Sequence, residues 1–544
     1  MDSPSARRIA WWLPPILLSL ATAWAYHNSL HGPFILDDTR WIIDNPQVRS
    51  LWRIADPHVA APLAKSVAGR PLLTLSLALN YALGGTSVVG YHFVNVLAHL
   101  AAGLLLFGII RRTLRSAAIA LAAALLWLLH PLQTSSVTYV IQRAEVLMGL
   151  CYLATLYGVI RSAASPRPKR WYAVSIAACA AGMAVKAVMV TAPLMILLYD
   201  GVFLSGSVRE AWRRRRPVYL GLGATWIWLA ALVITAQHGV TTPTVASAQQ
   251  ASPFAYGATQ LGVILHYLRL AIWPAGLCID YDWPMAATAA DIIPPLAMVA
   301  VLLAATVWAL MYHPRMGYLG AWWFVILAPT SSIIPLADLV FEHRLYLPLA
   351  AVVLLIVLGA DAIMRRMIPV VGARRALAVL LVGSAALGLG IATLHRNAVY
   401  QTEESIWRDA VAKQPRNGRA HNNVGIALGK QGRYDEAAEH FLIALSRDPA
   451  NTQLYNNLGI VRSRQGRSDE AIRWYQKALQ QDPDDPSVRN NLAVLLAKQG
   501  RFDDALAQYR AALRVNPDDV EARKNYDELT RWLAAQRPSG PTTP

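Results

Sequence analysis

The chain has 544 residues, of which 55% are hydrophobic and 18 are Trp, and its mean hydropathy is +0.33. These values exclude a wholly soluble globular protein, because the first 396 residues form a succession of apolar runs long enough to cross a bilayer. The net charge of +17 does not indicate a nucleic-acid partner: residues 397–544 hold 21 Lys and Arg against 19 Asp and Glu, which leaves 29 against 14 in the membrane part.

Basic residues cluster in the connections between the apolar runs, as in RSAASPRPKR (161–170) and REAWRRRR (209–216). By the positive-inside rule these connections face the cytoplasm. With the N-terminus inside as a retained signal anchor, the pattern predicts about eleven transmembrane helices and an outer, periplasmic side for the C-terminal part. The predicted spans are 9–26, 91–110, 116–130, 137–160, 171–186, 189–204, 218–236, 292–312, 320–335, 348–364 and 376–395.

Two further apolar segments are not counted as crossings. A span at 258–275 would place the arginine-rich connections after it on the outer side, so this segment is predicted to be re-entrant or interfacial. The amphipathic run 70–85 is predicted to lie along the membrane surface within the first outer loop, residues 27–90. The expected fold of residues 1–396 is therefore an all-α, polytopic helical bundle in the inner or plasma membrane.

The first outer loop contains HGPFILDDTRWIIDNPQV (31–48), which places Asp37 and Asp38 side by side. One interpretation is structural, since an Asp in a turn or at a helix start accepts main-chain N–H bonds. The other is a catalytic acidic pair. It gains support from the predicted topology, which puts ten of the fourteen acids of the membrane part on the outer side.

Polar residues also recur at helical spacing in GYHFVNVLAHL (90–100), where His92, Asn95 and His99 share one face of a predicted membrane helix. Such a stripe either hydrogen-bonds to neighbouring helices or lines an aqueous cavity.

An outer hairpin, LLHPLQTSSVTYVIQRAEVL (128–147), carries His130, Gln142, Arg143 and Glu145. An Arg143–Glu145 ion pair is the structural interpretation. The functional one is that an Arg entering a membrane helix on the outer side binds an anionic ligand.

A third group, FEHRLYLPL (341–349), places Glu342, His343 and Arg344 at another outer span, and Lys186 lies at the outer end of the fifth span. Cations beside outer-face carboxylates suit a lipid-linked phosphate: the cations hold the phosphate leaving group while a carboxylate removes a proton from an acceptor hydroxyl. A divalent cation, Mg²⁺ or Mn²⁺, could bridge the acidic pair to the phosphate. No ligand set in the sequence requires a metal site.

Residues 397–535 repeat with a period of 34, since NNVG, NNLG and NNLA begin at 422, 456 and 490. The pattern is similar to tetratricopeptide repeats, an α-solenoid of paired helices with a groove for a peptide or a partner protein. Small residues that allow close packing recur with it: Gly425, Gly459, Ala437, Ala471 and Ala505. Residues 536–544 are predicted to be a disordered tail.

Five motifs in order, FILDDTRWIIDNPQV, RPLLTLSLALNYALGG…YHFVNVLAH, LLHPLQTSSVTYVIQRAEVL, VKAVMVTAPLMILLYD and EHRLYLPL, precede the repeats. Together they resemble the transmembrane and tetratricopeptide-repeat (TMTC-type) proteins of the GT-C glycosyltransferase superfamily over nearly the whole chain. The resemblance implies a GT-C fold and a polyprenyl-phosphate sugar as donor. In eukaryotic relatives the sugar is mannose and the acceptor is Ser or Thr of proteins.

Carried over by position, the resemblance implies that Asp37 and Asp38 form the catalytic acidic motif and that Arg143, Lys186 and Arg344 contact the donor phosphate. The chain has Ala187 where relatives often have an acid. The residues expected to line the site are His92, Asn95, His99, His130, Gln142, Glu342 and His343.

The leading hypothesis is an inverting glycosyltransferase that acts on a hydroxyl acceptor, a protein bound by the repeats, with Asp37 or Asp38 as the base. One alternative is a non-catalytic membrane-anchored repeat scaffold for envelope protein assembly. Another is a transporter or ligase of lipid-linked saccharides. A transporter would more often show broken helices at corresponding positions of two halves, and residues 1–396 show no such internal repeat in sequence.

Overall fold

The computed structural model describes residues 4–49, 70–238, 252–336 and 338–536, and every regular element within these ranges is helical. The all-α fold class is confirmed. The chain divides into two compact units: Met1–Ile279 with Trp283–Thr402, and Glu403–Pro544 with the short segment Asp280–Asp282. Residues 50–69 of the predicted first outer loop and nearly all of the predicted tail lie outside the described residues.

The described part of the first unit contains helices α1 to α14 and several short 3-10 turns. The helices are α1 (Pro4–Tyr26), α2 (Pro71–Gly84), α3 (Val88–Leu114), α4 (Ala117–Leu128), α5 (Thr134–Val137), α6 (Arg143–Ala163), α7 (Pro168–Met183), α8 (Ala192–Phe203), α9 (Val208–His238), α10 (Pro253–Ile272), α11 (Ala289–Tyr312), α12 (Pro314–Leu327), α13 (Leu349–Met367) and α14 (Val371–Val399).

Each of the eleven predicted spans falls on one of these helices. By length and apolar composition, five described helices could cross a bilayer, or six if α4 and the segment Pro131–Val137, bent by 50° at their junction, form one span. The five are Val88–Leu114, Val140–Ala163, Val208–Thr235, Ala289–Tyr312 and Val371–Val399. The fold is therefore that of a helical membrane protein, and the count of about eleven crossings stays a prediction.

The two apolar segments that were not counted as crossings, 258–275 and 70–85, each fall on a single helix, α10 and α2. α10 is an uninterrupted helix of 20 residues and is not among the five. α2 is a shorter apolar helix, with Leu75, Leu79 and Leu83 exposed on one face and Leu73 and Leu77 fully buried. The exposed face of α2 is therefore as apolar as its buried face, and the position along the membrane surface stays a prediction.

Helix starts in the first unit follow from local sequence. Pro stands in the first turn of α2, α7, α10 and α12, where its missing N–H has no helical partner to lose. Ser116 caps α4 by accepting the N–H of Ile119, and Thr288 and Asp291 form a capping box at α11. These caps place helix ends where the apolar runs stop.

Buried polar side chains join α14 to the first outer segments. The Asn397 amide nitrogen donates to the carbonyl of Ala25, at the end of α1, over 2.9 Å. Its carbonyl oxygen accepts from the Thr138 hydroxyl over 2.7 Å. Asn397 thus connects the end of α1 with the hairpin between α5 and α6, the two segments that carry the acidic pair and its neighbours.

The described part of the second unit contains eight helices. The helices are α15 (Glu403–Lys413), α16 (Gly418–Lys430), α17 (Tyr434–Arg447), α18 (Thr452–Arg464), α19 (Ser468–Gln481), α20 (Pro486–Lys498), α21 (Phe502–Val515) and α22 (Val520–Gln536). Three pairs, α16–α17, α18–α19 and α20–α21, follow the 34-residue period, with α15 before them and α22 after them.

The period fixes the helix starts and the packing of each pair. Asn417, Asn451 and Asp485 occupy the same repeat position, and each caps its helix through its side-chain oxygen. The predicted close-packing role of the small residues is also seen, because a side chain added at Gly425 would lie 2.6 Å from the Phe441 ring.

Replacing Gly425 by Ala is expected to destabilise α16 and α17, because the added methyl group overlaps the Phe441 ring. Overpacking costs about 1–3 kcal/mol, against a gain of about 1 kcal/mol from the higher helix propensity of Ala. Gly429, one turn further along α16, has no neighbouring atom within 4 Å of an added methyl group, so Gly429→Ala is the matched control and should stabilise. Hydrogen exchange of the full chain measures both; equal protection in the two variants would contradict the packing argument.

Candidate active site on the outer segments

Asp38 joins the loop after α1 to the hairpin before α6. Its side chain is fully buried, one carboxylate oxygen accepts the N–H of Ile35 over 3.1 Å, and the other accepts the N–H of Ile141 over 2.8 Å. Ile35 belongs to the first outer loop and Ile141 to the hairpin before α6. The structural interpretation of the acidic pair, an Asp that accepts main-chain N–H bonds, therefore applies to Asp38, because each of its carboxylate oxygens accepts one such bond.

Asp37 has a different environment, because its side chain is exposed. Its N–H donates to the Tyr139 hydroxyl over 3.1 Å, and the same hydroxyl bonds the Asp37 carboxylate. Asp37 is thus a carboxylate held in place by the hairpin but open to a ligand.

Both carboxyls have raised pKa values. Although Asp37 is open to solvent on one side, the protein atoms around its carboxylate displace part of its hydration and raise its pKa most; the charge of Asp338 raises it further, and Tyr139 and Arg40 partly oppose the shift. Burial raises the pKa of Asp38 to about 8, against the lowering effect of the main-chain donors Ile35 and Ile141. A carboxylate with a raised pKa is a stronger proton acceptor than an ordinary surface Asp.

Cationic side chains form a cluster around Glu145 at the start of α6. Lys186 makes an ion pair with a Glu145 oxygen, and His343 Nε2 lies 4.0 Å from the same oxygen. Position 187, where relatives often have an acid, is Ala in this chain, and the charge of Lys186 is balanced instead by Glu145 at the start of α6. Arg70 also lies close enough for its charge to interact with those of Glu145 and Lys186.

Arg344 joins this cluster from the segment before α13. Its guanidinium donates to the carbonyls of Leu339 over 3.0 Å and Asp338 over 2.8 Å. Burial lowers the pKa of His343 well below its usual range, and the charges of Lys186, Arg344 and Arg70 lower it further. His343 is therefore neutral among three cations, and it can donate or accept a hydrogen bond without adding charge.

The acidic and cationic groups are linked through residue 338. The Asp338 carboxylate interacts electrostatically with Asp37, while its carbonyl holds Arg344. Three residues of this site are absent from the sequence-based set: Arg70, Tyr139 and Asp338. The signal for Arg70 was its charge on the predicted outer side, against the positive-inside trend.

Arg143 lies in a second, fully buried group. Its guanidinium donates to the Asn95 side-chain oxygen over 2.6 Å and to the carbonyls of Ser76 over 3.0 Å and Tyr91 over 2.9 Å. Arg143 is 0% exposed, and it joins α2 to α3 instead of pairing with Glu145. The phosphate contact expected of Arg143 stays a prediction, and the observed contacts are those of a positioning residue.

The polar stripe of α3 hydrogen-bonds to neighbouring segments along its length. His92 Nε2 donates to the carbonyl of Gly32 over 2.9 Å. Asn95 donates to the carbonyls of Val137 and Val140, and His99 bonds the Tyr346 hydroxyl over 2.9 Å. This is the hydrogen-bonding alternative for the stripe, so these residues fix the outer segments on α3; their lining role stays a prediction.

The remaining predicted lining residues lie nearby on separate segments. A Glu342 oxygen accepts the N–H of Cys278 over 2.6 Å, and the same oxygen lies 3.7 Å from Arg396. His130, at the bend after α4, accepts the N–H of Leu132 over 3.3 Å. Gln142 is half-buried immediately before α6. Their role in lining the site stays a prediction.

Among the described residues, no group of three or more His, Cys, Asp and Glu is arranged to hold a metal ion. Asp38 is fully buried, and each of its oxygens already accepts a main-chain N–H. The divalent cation stays a prediction, with Asp37 as the accessible carboxylate for it.

Comparison with known proteins divides the chain in the same way. Residues 68–235 match the family profile described as dolichyl-phosphate-mannose-protein mannosyltransferase. Residues 425–486 and 462–525 match tetratricopeptide-repeat profiles. Among solved structures, a thermophilic TPR protein of Thermus thermophilus is 24% identical, with 32% of this chain and 98% of that chain covered and a TM-score of 0.23.

Curated relatives of the chain are named protein O-mannosyl-transferases. "Protein O-mannosyl-transferase Tmtc2" of Drosophila melanogaster is 31% identical over 48% of this chain and 29% of its own length. Tmtc3 of the same organism is 25% identical over 78% and 54%, and TMTC4 of Mus musculus is 25% identical over 79% and 66%. The chain spans about half the length of the curated relatives it matches. With a region that matches the mannosyltransferase profile followed by tetratricopeptide repeats, and relatives named protein O-mannosyl-transferase along most of its length, the chain is similar to the TMTC-type proteins.

Proposed function

We propose that the chain is a membrane glycosyltransferase that moves one sugar from a polyprenyl-phosphate carrier to a hydroxyl group of a protein. The observation that supports this proposal is the difference in environment between the two acids of the pair. Asp38 is buried and fully bonded, whereas Asp37 is exposed, held by Tyr139, and linked through residue 338 to a cluster of three cations. The names of the relatives, protein O-mannosyl-transferases, support the same reaction class.

In this proposal Asp37 is the general base. The acceptor oxygen attacks the anomeric carbon as its proton passes to Asp37, and the bond from that carbon to the phosphate oxygen breaks on the opposite face. Polyprenyl phosphate leaves and the sugar configuration inverts. The raised pKa of Asp37 favours this proton transfer, because it brings the base closer to the working pH.

Lys186, Arg344 and Arg70 are the phosphate contacts in this proposal. The guanidinium of Arg344 donates to two carbonyls and also hydrogen-bonds the Tyr256 and Tyr267 side chains, so its contribution to phosphate binding is mainly its positive charge. Glu145 balances one positive charge of the cluster, and the remainder attracts an anion. Fixed cations of this kind stabilise the charge that develops on the leaving phosphate.

The acceptor is proposed to be a protein engaged by the tetratricopeptide repeats, and the site is proposed to face the outer side of the membrane. The outer orientation follows from the basic connections, which the positive-inside rule places in the cytoplasm. The sugar is left open, with mannose as the first donor to try because of the names of the relatives.

Asp37→Asn is expected to lower sugar transfer by about 10²- to 10⁴-fold, the usual contribution of a general base, without unfolding the protein. Asp38→Asn is expected to lower both activity and stability, the latter by about 1–3 kcal/mol, because an amide NH₂ would face a buried main-chain N–H. Purified membranes supplied with a panel of labelled polyprenyl-phosphate sugars, with label followed on protein, measure the first effect, and thermal unfolding measures the second.

The matched control is Asp44→Asn, an exposed acid of the same loop, which should transfer at the wild-type rate. Wild-type transfer by Asp37→Asn would remove Asp37 from catalysis. If the wild type transfers no sugar from any donor, the scaffold alternative gains support instead.

Lys186→Met is expected to abolish most sugar transfer and also to destabilise the protein, because it leaves the buried Glu145 carboxylate without its ion-pair partner. Breaking a buried pair costs about 3–5 kcal/mol. The double variant Lys186→Met with Glu145→Gln removes that unpaired charge, so it should recover stability but not activity. A double variant that recovers both would show that Lys186 serves structure alone.

The acid limb of the pH–activity profile should move to lower pH in Asp338→Asn. Asp37 acts as a base only when deprotonated, and the Asp338 charge raises its pKa. Removing that charge lowers the pKa, so activity should persist further into the acid range. Initial transfer rates as a function of pH measure the shift. In the control variant Asp44→Asn the acid limb should lie at the same pH as in the wild type. A limb unmoved by Asp338→Asn would argue against Asp37 as the titrating base.

A further inference from the structure

Four arginines lie where α3 and α6 end and α7 begins. Arg112 is in the last turn of α3, Arg161 is in the last turn of α6, and Arg167 and Arg170 are at the start of α7. We call these four residues the arginine cluster. Glu145 of the candidate active site stands near the other end of α6, about 24 Å away at about 1.5 Å per residue. The cluster is therefore separate from that site.

Aromatic rings hold two of these arginines in place. The guanidinium carbon of Arg161 lies 4.6 Å from the centre of the Trp171 ring and 5.9 Å from the centre of the Tyr157 ring. The guanidinium carbon of Arg112 lies 5.7 Å from the centre of the same Tyr157 ring, and both arginines hydrogen-bond the Tyr157 hydroxyl. Contact with an aromatic ring and a neutral hydroxyl positions a guanidinium without neutralising its charge.

Few acids are available to balance this charge. Residues 88–199, which contain α3, α6 and α7, include a single Asp or Glu, namely Glu145, and it lies near the far end of α6. The next acids along the sequence are Asp200 on α8 and Glu210 on α9, and each is paired with an arginine of α9. The arginine cluster thus concentrates positive charge that the acids of its own helices do not neutralise.

A cleft of about 490 Å³ lies beside the cluster. It is lined by Ser165, Pro166, Arg167, Arg170, Trp171 and Val174. The two arginines of the lining are exposed, and Val174, one turn further along α7, is an apolar side chain that is 47% exposed. The cleft is also at the N-terminal end of α7, where the helix dipole favours an anion. Its lining therefore passes from cationic to apolar along the first turns of α7.

We propose that the arginine cluster and its cleft bind the phosphate headgroup of an anionic phospholipid. Guanidinium groups pair with phosphate oxygens through two N–H groups at once, and basic pockets between membrane helices suit phospholipid headgroups. Trp171 is of the residue type that prefers the membrane–water interface, and Val174 continues the cleft with the apolar surface that an acyl chain needs. The connection 161–170 is predicted to face the cytoplasm, so the proposed lipid belongs to the inner leaflet.

Binding of this lipid stabilises the ends of three helices. The like charges of the arginine cluster repel one another across α3, α6 and α7, and a phosphate among them replaces repulsion by attraction. A ligand that binds only the native state raises the temperature of unfolding. The proposed donor phosphate lies at the other end of α6, so this second phosphate site does not depend on the proposed function.

The test uses the full chain in detergent, titrated with phosphatidylglycerol or with phosphatidylcholine of the same acyl chains. Native mass spectrometry measures the lipid bound at each concentration, and thermal unfolding measures the stabilisation. The wild type should bind phosphatidylglycerol about 10-fold more tightly than phosphatidylcholine, because the latter carries no net charge for the cluster to attract. Phosphatidylglycerol should also raise the temperature of unfolding more than phosphatidylcholine does.

Arg167→Gln with Arg170→Gln should weaken the binding of phosphatidylglycerol by about 10-fold or more, since each basic residue near an anionic headgroup contributes about 5-fold. Both side chains are exposed, so the helices should remain. The matched control is Arg213→Gln with Arg214→Gln, which removes two exposed arginines of α9 that pair with Glu210. This control loses the same number of positive charges on the same predicted side of the membrane, and it should bind the lipid as the wild type does.

The proposal is overturned if the wild type binds the two lipids equally, or if both double variants lose binding to the same extent, because the attraction would then be to net charge alone. Displacement of the lipid by inorganic phosphate at equal concentration would overturn it too, since the cleft would then be a site for a small anion. The comparison of the two lipids needs only the wild type, so a misfolded variant does not leave the proposal untested. None of these measurements uses sugar transfer, so their outcome is independent of whether the chain is a glycosyltransferase.

Discussion

The candidate site depends on one buried carboxyl group, that of Asp38, which accepts the N–H groups of Ile35 and Ile141 from two different segments of the chain. A hydrogen bond is worth about 1 kcal/mol, or about 1.5–3 kcal/mol where the acceptor is charged, and here both donors are main-chain groups that would otherwise be buried unbonded. The bonds fix the loop after α1 against the hairpin before α6. Asp37 and Tyr139 belong to those two segments, so their contact depends on Asp38.

Arg143 stabilises the same region from the opposite side. It is fully buried and donates to α2 and α3 through three acceptors, and its charge also interacts with that of Asp38. A buried guanidinium persists only when its donors are satisfied. The cations of this region therefore differ in their surroundings: Arg143 donates to three acceptors and joins α2 to α3, whereas Lys186 and Arg344 are the proposed contacts of the donor phosphate.

The sequence predicted the helices and most of the polar residues at the site, because apolar runs, the 34-residue period and outer-face charges are local signals. Roles within the site were less predictable. Asp37 and Asp38 are neighbours in sequence, and only the fold shows that one faces Ile141 while the other faces solvent. The Lys186–Glu145 pair joins residues 41 positions apart. Tyr139 and Asp338 were missed for the same reason, since their significance lies in contacts that no local pattern encodes, whereas Arg70 carried a local signal in its charge.

The adjacent acids illustrate how a site can be both rigid and reactive. A carboxyl group that accepts two main-chain N–H groups holds its position but has little capacity left for chemistry. One that is left open reacts, but it needs a neighbour to hold it. Placing the two side by side on a turn, with Leu36 before them in the left-handed region at a φ of 51°, sends their side chains into different surroundings. The strained backbone at Leu36 is stabilised by the bonds that Asp38 makes, so the geometry of Asp37 is determined by its buried neighbour.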